Sequence, residues 1–280
     1  MRILLVGGSG FVGKNLFYEL ITDNEVKIMS RSRPSWLKQE NWTAGDIRDP
    51  STMDPKVLKS FDIVVDLVGL INQKLEKHHD VNVKGTGNLI EALGKNSGTK
   101  LVYISAINSD VGTTEYFKTK KEAERNVIAY GNYVIIRPSV LYGQDDYLTS
   151  QLVKASRQPI PIFPKSKPLY PVYIGDFARV FSKIMMFNGS FDVCSDEPLT
   201  MGDMLNIVRG EQGKGPLPQA PLWVFKTMAP VLDFIGLISS EQLSMLGYDF
   251  YREDTVLKRY VAKPTKYKDF IRTQDLKPKV

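Results

Sequence analysis

Apolar residues follow two alternating rhythms over the first 145 positions. Short unbroken runs at Ile3–Val6, Val26–Ser30, Ile63–Val68, Leu101–Ser105 and Tyr133–Arg137 have the length of strands buried on both faces. Between them, Phe11–Ile21, Val81–Leu93 and Tyr116–Ala129 are amphipathic and read as helices with one buried face. Buried strands separated by helices predict an α/β fold, a Rossmann-type doubly wound parallel sheet with right-handed crossovers. After Gly143 the rhythm breaks. Residues 158–172 are proline-rich and exclude a regular helix. Helices near Gly175–Phe187, Met201–Arg209, Leu222–Ile235 and Ser240–Leu246, with a strand near Phe191–Val193, complete the pattern. The expectation is one domain over residues 1–280. Residues 1–145 form its dinucleotide-binding core; residues 146–280 form a small mixed C-terminal lobe for the substrate, with a basic tail.

The first strand runs directly into Gly7, Gly10 and Gly13 and then a helix. Glycine lets the backbone turn sharply and lets a pyrophosphate come close, while the helix N-terminus offers free N–H groups and a positive dipole end. A glycine triplet alone is weak evidence, but its position after the first strand of a βαβ rhythm is specific. The second strand reports on the nucleotide. NAD sites usually end it with Asp or Glu for the ribose 2′-hydroxyl. Here "VKIMSRSR" ends in Ser30 and Arg31 with no acid. A guanidinium forks onto a 2′-phosphate, so NADP is expected before NAD.

Composition narrows the class. Hydrophobic residues make up 42% and charged residues 24% of the 280, ordinary values for a soluble globular protein. The single Cys194 cannot form an internal disulfide. The N-terminal apolar run is too short for a signal peptide, and no run approaches the ~20 apolar residues of a membrane span. These features suit a cytoplasmic protein. Of the net charge of +6, +5 lies in residues 252–280, with nine Lys/Arg and four Asp/Glu. With the apolar stretch 221–238, this region is a candidate contact for a partner protein or an anionic membrane; a helix packed over the substrate pocket is the competing reading. No nucleic-acid partner is expected. His78 and His79 lack Cys, His or paired carboxylate partners at ligand spacing, so no metal site is indicated. Met185, Met186 and Phe187 read as helix core.

In "YFKTK", Tyr116 and Lys120 stand about one helical turn apart and share a face. The spacing alone does not separate a proton-transferring pair from a solvated helix face.

Taken together, "GGSGFVG" (7–13), "AGDIRD" (44–49), "VNVKGTGNLIEA" (81–92), "LVYISA" (101–106), "YFKTKKEAE" (116–124), "IIRPSVLYG" (135–143), "YPVYIGDFARV" (170–180) and "FDVCSDEPLT" (191–200) resemble the short-chain dehydrogenase/reductase superfamily. The resemblance is to its extended or atypical branch, like NAD-dependent epimerases and dehydratases. Val68-Gly69, "LISSEQLSML" and "AKPTKYKDFI" look most like the group holding the NADPH-binding accessory subunit of respiratory complex I.

The resemblance implies that Gly7, Gly10, Phe11, Val12 and Gly13 hold the pyrophosphate, and that Ser30 and Arg31 meet the 2′-phosphate. Asp46 and Ile47 would flank the adenine, Val68 and Gly69 the ribose, and Pro138 and Ser139 the nicotinamide. It also makes Tyr116 the acid/base and Lys120 its modulator and a ribose ligand. Free tyrosine, with a pKa of about 10, is a poor base; a neighbouring cation favours the phenolate. The family's third member is a Ser or Thr just past the fifth strand. Ser105 lies one position early, and Ala106 occupies the expected place; Asn108 and Ser109 are alternatives. The expected activity is an NADP(H)-dependent oxidoreductase or epimerase-like enzyme acting on a carbonyl or hydroxyl of an unidentified small molecule. Residues 144–172, including Gln144, Asp145, Asp146, Arg157 and Lys165, would line the substrate pocket. The rival is a non-catalytic NADPH-binding accessory or sensor protein that docks on a partner complex or membrane.

Overall fold

The structure, a computed structural model, describes residues 1–69, 77–95, 98–158, 162–227, 229 and 240–274. The chain forms two compact units: Met1–Pro138 with Ala178–Asp192, and Ser139–Phe177 with Val193–Val280. By contacts the first division falls between Pro138 and Ser139, and a later segment, Ala178–Asp192, returns to the first unit.

In the first unit, β1 (Arg2–Val6), α1 (Phe11–Leu20), β2 (Glu25–Ser30), β3 (Trp42–Ala44), the single turn α2 (Pro55–Leu58), β4 (Ile63–Asp66), α3 (Thr86–Leu93), β5 (Lys100–Ile104), α4 (Glu115–Tyr130) and β6 (Tyr133–Pro138) follow one another. With the strand Gly189–Val193 they give a seven-stranded sheet in the order β3-β2-β1-β4-β5-β6 and then Gly189–Val193. The pairings from β3 through β6 are parallel. The five expected strands are present; β3, too short to carry an apolar pattern, was not foreseen. The direction of winding reverses between β1 and β4, where such sheets open a crevice at the strands' carboxyl ends.

β1 and β4 are almost wholly buried because both faces of the sheet are covered. On one face, Leu4, Val64, Leu101 and Ile135 pack with Leu89 and Leu93 of α3 and Ala123, Val127 and Tyr130 of α4. Each such aliphatic side chain contributes about 1.5–3 kcal/mol on burial. The expected helix Val81–Leu93 is in two parts, a wide π turn over His79–Gly85 and then α3. Of the apolar trio after Ile184, only Met185 is core; Met186 and Phe187 are about half exposed, since the helix ends at Ile184 and no longer directs them inward.

In the second unit, Leu141–Tyr142 pairs with Val172–Tyr173, and Phe163–Lys165 with Gln219–Pro221. A helix over Tyr147–Arg157, not foreseen, starts at Asp146, whose carboxylate accepts from Thr149 N–H at 2.7 Å and Gly143 N–H at 3.1 Å. Asp146 is thus a buried cap, not a pocket-lining acid. The Tyr142 hydroxyl donates to the Thr265 carbonyl and Asp176 accepts from Thr265 N–H, tying the segment before the helix Tyr267–Arg272 to this unit. The apolar stretch 221–238 is described as a helix over Leu222–Thr227 with Trp223 exposed. Residues 228 and 230–238 of that stretch with residue 239 after it, residues 159–161 of the proline-rich segment and residues 275–280 of the tail lie outside the described residues. Among the described residues, no helix is long and apolar enough to cross a membrane.

The glycine loop divides its tasks. Gly7 adopts φ +74°, and a Cβ there would stand 2.5 Å from Val68 Cγ2; a Cβ on Gly13 would stand 2.3 Å from the Gly8 backbone. Around Gly10 the space is open. Gly13→Ala should therefore lose about 1–3 kcal/mol by overpacking, measured by urea unfolding. Gly87→Ala, in the interior of α3 with open space around it, should instead gain up to about 1 kcal/mol through helix propensity.

Candidate functional site

A cavity of about 290 Å³ opens at the reversal point of the sheet, bounded by the ends of β1, β2 and β4 and the loop after β3. Gly7, Gly10, Ser30, Arg31, Asp46, Ile47, Val68 and Gly69 all line it, so eight of the residues expected to bind cofactor converge on one wall. Phe11, Val12 and Gly13 form the first turn of α1, whose N-cap is Gly10 with no side-chain cap. The helix therefore presents backbone N–H groups rather than a capping side chain to whatever approaches.

The second-strand corner differs in detail from expectation. Ser30 lines the cavity, but its hydroxyl is engaged: it donates to the Ser32 carbonyl at 2.9 Å and accepts from Trp42 Nε1 at 3.0 Å. Arg33 turns to the Leu37 carbonyl, leaving Arg31 as the arginine of this pair that lines the cavity. A second arginine, Arg48, lines it too and was missed by sequence reading. Its guanidinium forks onto Asp46, with Nε–Oδ1 at 3.0 Å and Nη2–Oδ2 at 2.5 Å. The hydrogen bond from Arg48 holds the Asp46 carboxyl below its ordinary value. Asp46 also accepts from Arg48 N–H and so shapes the turn. Its negative charge is neutralised where an unpaired acid would repel a phosphate.

Tyr116 and Lys120 lie on the inner face of α4. The helix starts at Thr114, whose hydroxyl accepts from Phe117 N–H, and buries Tyr116, Lys120, Ala123, Glu124 and Val127 along one stripe. Lys120 is only 3% exposed. Its ammonium donates to the Ile104 carbonyl at 2.9 Å, its only hydrogen bond among the described residues, and stands 4.7 Å from the centroid of the Tyr103 ring. A Cβ on Gly69 would stand 3.0 Å from Lys120 Nζ; glycine in the loop after β4 leaves room for the ammonium beside the cavity wall. Desolvation pushes Lys120 down to about 8, opposed by Asp66 and Glu124. The His78 ring, buried, meets Tyr116 edge-on at 5.7 Å.

The region past β5 discriminates among the candidate hydroxyls. Ser105 is buried, and its Oγ has no hydrogen-bond partner among the described residues. Ser109 is committed elsewhere, donating to Glu124 at 2.7 Å. Asn108 takes a left-handed conformation, φ +69°, which turns the chain after Ala106. Pro138 closes β6 and its carbonyl accepts from Ile107 N–H at 3.0 Å. Ser139 belongs to the second unit, where its hydroxyl meets the carbonyls of Leu169 and Tyr170 at 2.7 and 2.6 Å. That hydroxyl is engaged by backbone.

Residues 4–180 match the model of the 3-beta hydroxysteroid dehydrogenase/isomerase family. Among curated proteins, the chain is similar to N-acetyl-alpha-D-glucosaminyl-diphospho-ditrans,octacis-undecaprenol 4-epimerase of Escherichia coli, 30% identical over 166 residues, 51% of this chain and 50% of that one. It is also similar to UDP-glucose 4-epimerase of Vibrio cholerae, 28% identical over 171 residues, 50% of this chain and 52% of that one. The matched segments thus span about half the length of these relatives. Among solved structures, Thermus thermophilus UDP-glucose 4-epimerase complexed with NAD superposes with a TM-score of 0.72 at 22% identity, covering 97% of each chain. The human epimerase family protein SDR39U1 with NADPH gives 0.69 at 15% identity, covering 97% of this chain and 98% of that one. The fold of these neighbours is the fold seen here, and by its sequence the chain belongs to the 3-beta hydroxysteroid dehydrogenase/isomerase family of extended short-chain dehydrogenase/reductase proteins.

Proposed function

We propose that the chain is an NADP(H)-binding oxidoreductase or epimerase-like enzyme acting on a carbonyl or hydroxyl substrate, with Tyr116 as acid/base and Lys120 as its modulator. One observation carries this reading: a buried ammonium with a single hydrogen bond among the described residues, set against Gly69 beside the cavity. Burying a lysine costs several kcal/mol unless its N–H groups and charge are met. The Ile104 carbonyl answers one of its N–H groups, and ribose hydroxyls at that wall would accept its remaining hydrogen bonds.

The residues present fit a nicotinamide dinucleotide. Gly7 and Gly13 permit contacts that a Cβ would block, Gly10 leaves open space at the N-terminus of α1, and the cavity joins these to the end of β2. Bound there, the cofactor would supply or accept a hydride. The chain's own groups do the rest. Arg31 meets a 2′-phosphate, helped by the neutralised Asp46. Lys120 holds the ribose and favours the Tyr116 phenolate. Tyr116 moves a proton to or from the substrate oxygen. Ser105, with its buried unbonded hydroxyl, steadies that oxygen. The sugar 4-epimerases among the relatives support a hydroxyl-bearing sugar as substrate class. Ala106, where family enzymes carry a hydroxyl, favours the rival reading of an NADPH-binding accessory protein without turnover.

Calorimetric titration should show NADPH binding more tightly than NADH, and Arg31→Ala should shrink the difference; equal affinities in the unmutated protein would defeat the cofactor assignment.

Tyr116→Phe removes one hydroxyl and should leave NADPH binding nearly unchanged. On a carbonyl substrate it should lower turnover by about 10²–10⁴-fold, the usual contribution of a positioned acid/base. Unchanged turnover would remove Tyr116 from the chemistry. No turnover on any substrate tried, with NADPH still bound, is the rival's signature.

Lys120 titrates near pH 8 in the fold. NADPH affinity should therefore be full at pH 7 and weaken through pH 8–9 as the ammonium loses its proton. Fluorescence titrations from pH 6.5 to 9.5 would show this, and Lys120→Ala should bind more weakly and lose that pH step.

A further inference from the structure

Asp66 ends β4 in the middle of the sheet, opposite Val6 of β1 and Tyr103 of β5, and is completely buried. Side chains alternate along a strand, so it shares a face with Val64, among the apolar residues that pack beneath α3 and α4. A carboxylate at such a position is costly unless hydrogen-bonded and matched by a positive charge. Its hydrogen bonds come from neutral donors, Thr86 Oγ1 at 2.8 Å and Val68 N–H at 3.0 Å. Neither supplies the charge.

The buried groups around Lys120 leave one assignment. Glu124, also on α4, is forked by Arg137 at 2.8 and 2.6 Å and bonded by Ser109 at 2.7 Å. Its charge is already met. Tyr103 lies beneath the ammonium as an aromatic face, Tyr116 stands one turn away on α4 with His78 against its ring, and Asn82 on the π turn is uncharged. Ile104 contributes a carbonyl. Among the described residues Asp66 is the remaining carboxylate, held next to the same Tyr103 by strand register.

We infer that Asp66 is the buried counter-charge of Lys120, a positioning residue that keeps the ammonium protonated against Gly69 and thereby sets the state of the Tyr116–Lys120 pair. The inference rests on the reading of Lys120 given above and deepens it. The two groups bias each other as it requires. Burial pushes Asp66 up, and Lys120 is the foremost influence opposing that. Burial pushes Lys120 down, and Asp66 is the foremost influence opposing that. Three links follow in order. Thr86 and Val68 hold the carboxylate, the carboxylate holds the charge on Lys120, and the charge acts on the tyrosine.

The test is pH titration by ¹³C NMR of the cofactor-free full chain. The Lys120 Cε resonance is identified by its loss in Lys120→Met, and the Asp66 Cγ resonance by its loss in Asp66→Asn. In the unmutated protein Lys120 should titrate near pH 8. Asp66→Asn, which conserves shape, should lower that midpoint by about one pH unit or more. In Lys120→Met the Asp66 midpoint should rise by a comparable amount, a reciprocal test that stands even if Asp66→Asn does not fold. Midpoints that ignore each other's removal would overturn the proposal. NADPH titrations of the same proteins separate it from the cofactor reading. Coupled midpoints with a pH-dependent affinity that Asp66→Asn shifts in parallel support both. Coupled midpoints with no effect on NADPH support the charge pair and sink the ribose role of Lys120.

Discussion

The burial of one ammonium sets much of the geometry of the first unit. Lys120 can be accommodated only because β5 ends where the Ile104 carbonyl can accept from it, because Tyr103 offers an aromatic face, and because position 69 carries no side chain. Two of those conditions are met by β5 and the third by the loop that leaves β4, while α4 delivers the lysine itself. Residues far apart in the chain are thus held to one another by a group whose desolvation must be answered locally. A methyl group at position 69 would stand 3.0 Å from the ammonium, so the end of the lysine would have to give by a few tenths of an ångström.

The same economy of space rules the phosphate loop. Gly7 and Val68 approach so closely that β1 and the end of β4 act as one wall, and Gly13 lets the first turn of α1 lie against Gly8. With the loop drawn back in this way, the cavity is bounded by backbone at one end and by Arg31 and Arg48 at the other. The charge pattern along it runs from helix N-terminus to guanidinium, positive at both ends. Asp46 contributes by being neutralised, since its fork with Arg48 offsets a negative charge that would oppose an anion there.

Buried charge recurs behind α4. Glu124, Arg137 and Asp192 form a linked set, with Arg137 on β6 reaching Glu124 directly and Asp192 at 3.7 Å. This set fastens α4 to the sheet from outside the Lys120 position. Replacing such ionic contacts by apolar ones is often neutral for stability, so their presence in α4 fits a helix whose position matters more than its stability.

The sequence by itself determined the five long strands of the first unit and the helices α1, α3 and α4 between them, though not β3 or the single turn α2, together with the glycine loop and the absence of an acid after β2. These are local properties: runs of apolar residues have a period, and a glycine or a charge is visible wherever it stands. It also brought Tyr116 and Lys120 to one helix face by spacing. It could not say whether that face was wet or dry, because burial is a property of what packs on the helix. Asp66 and Arg48 were illegible for the same reason. Asp66 sits at the end of an apolar run and reads as a strand terminus, and only parallel register with β5 places it beside Tyr103. Arg48 reads as a loop charge until the turn at Asp46 aims it at the cavity. Ser30 and Ser139 show the converse, where a plausible ligand by position spends its hydroxyl on the fold. Hydrogen-bond partners, close approach and desolvation depend on residues 20 to 60 positions away meeting in space, and only the tertiary structure decides them.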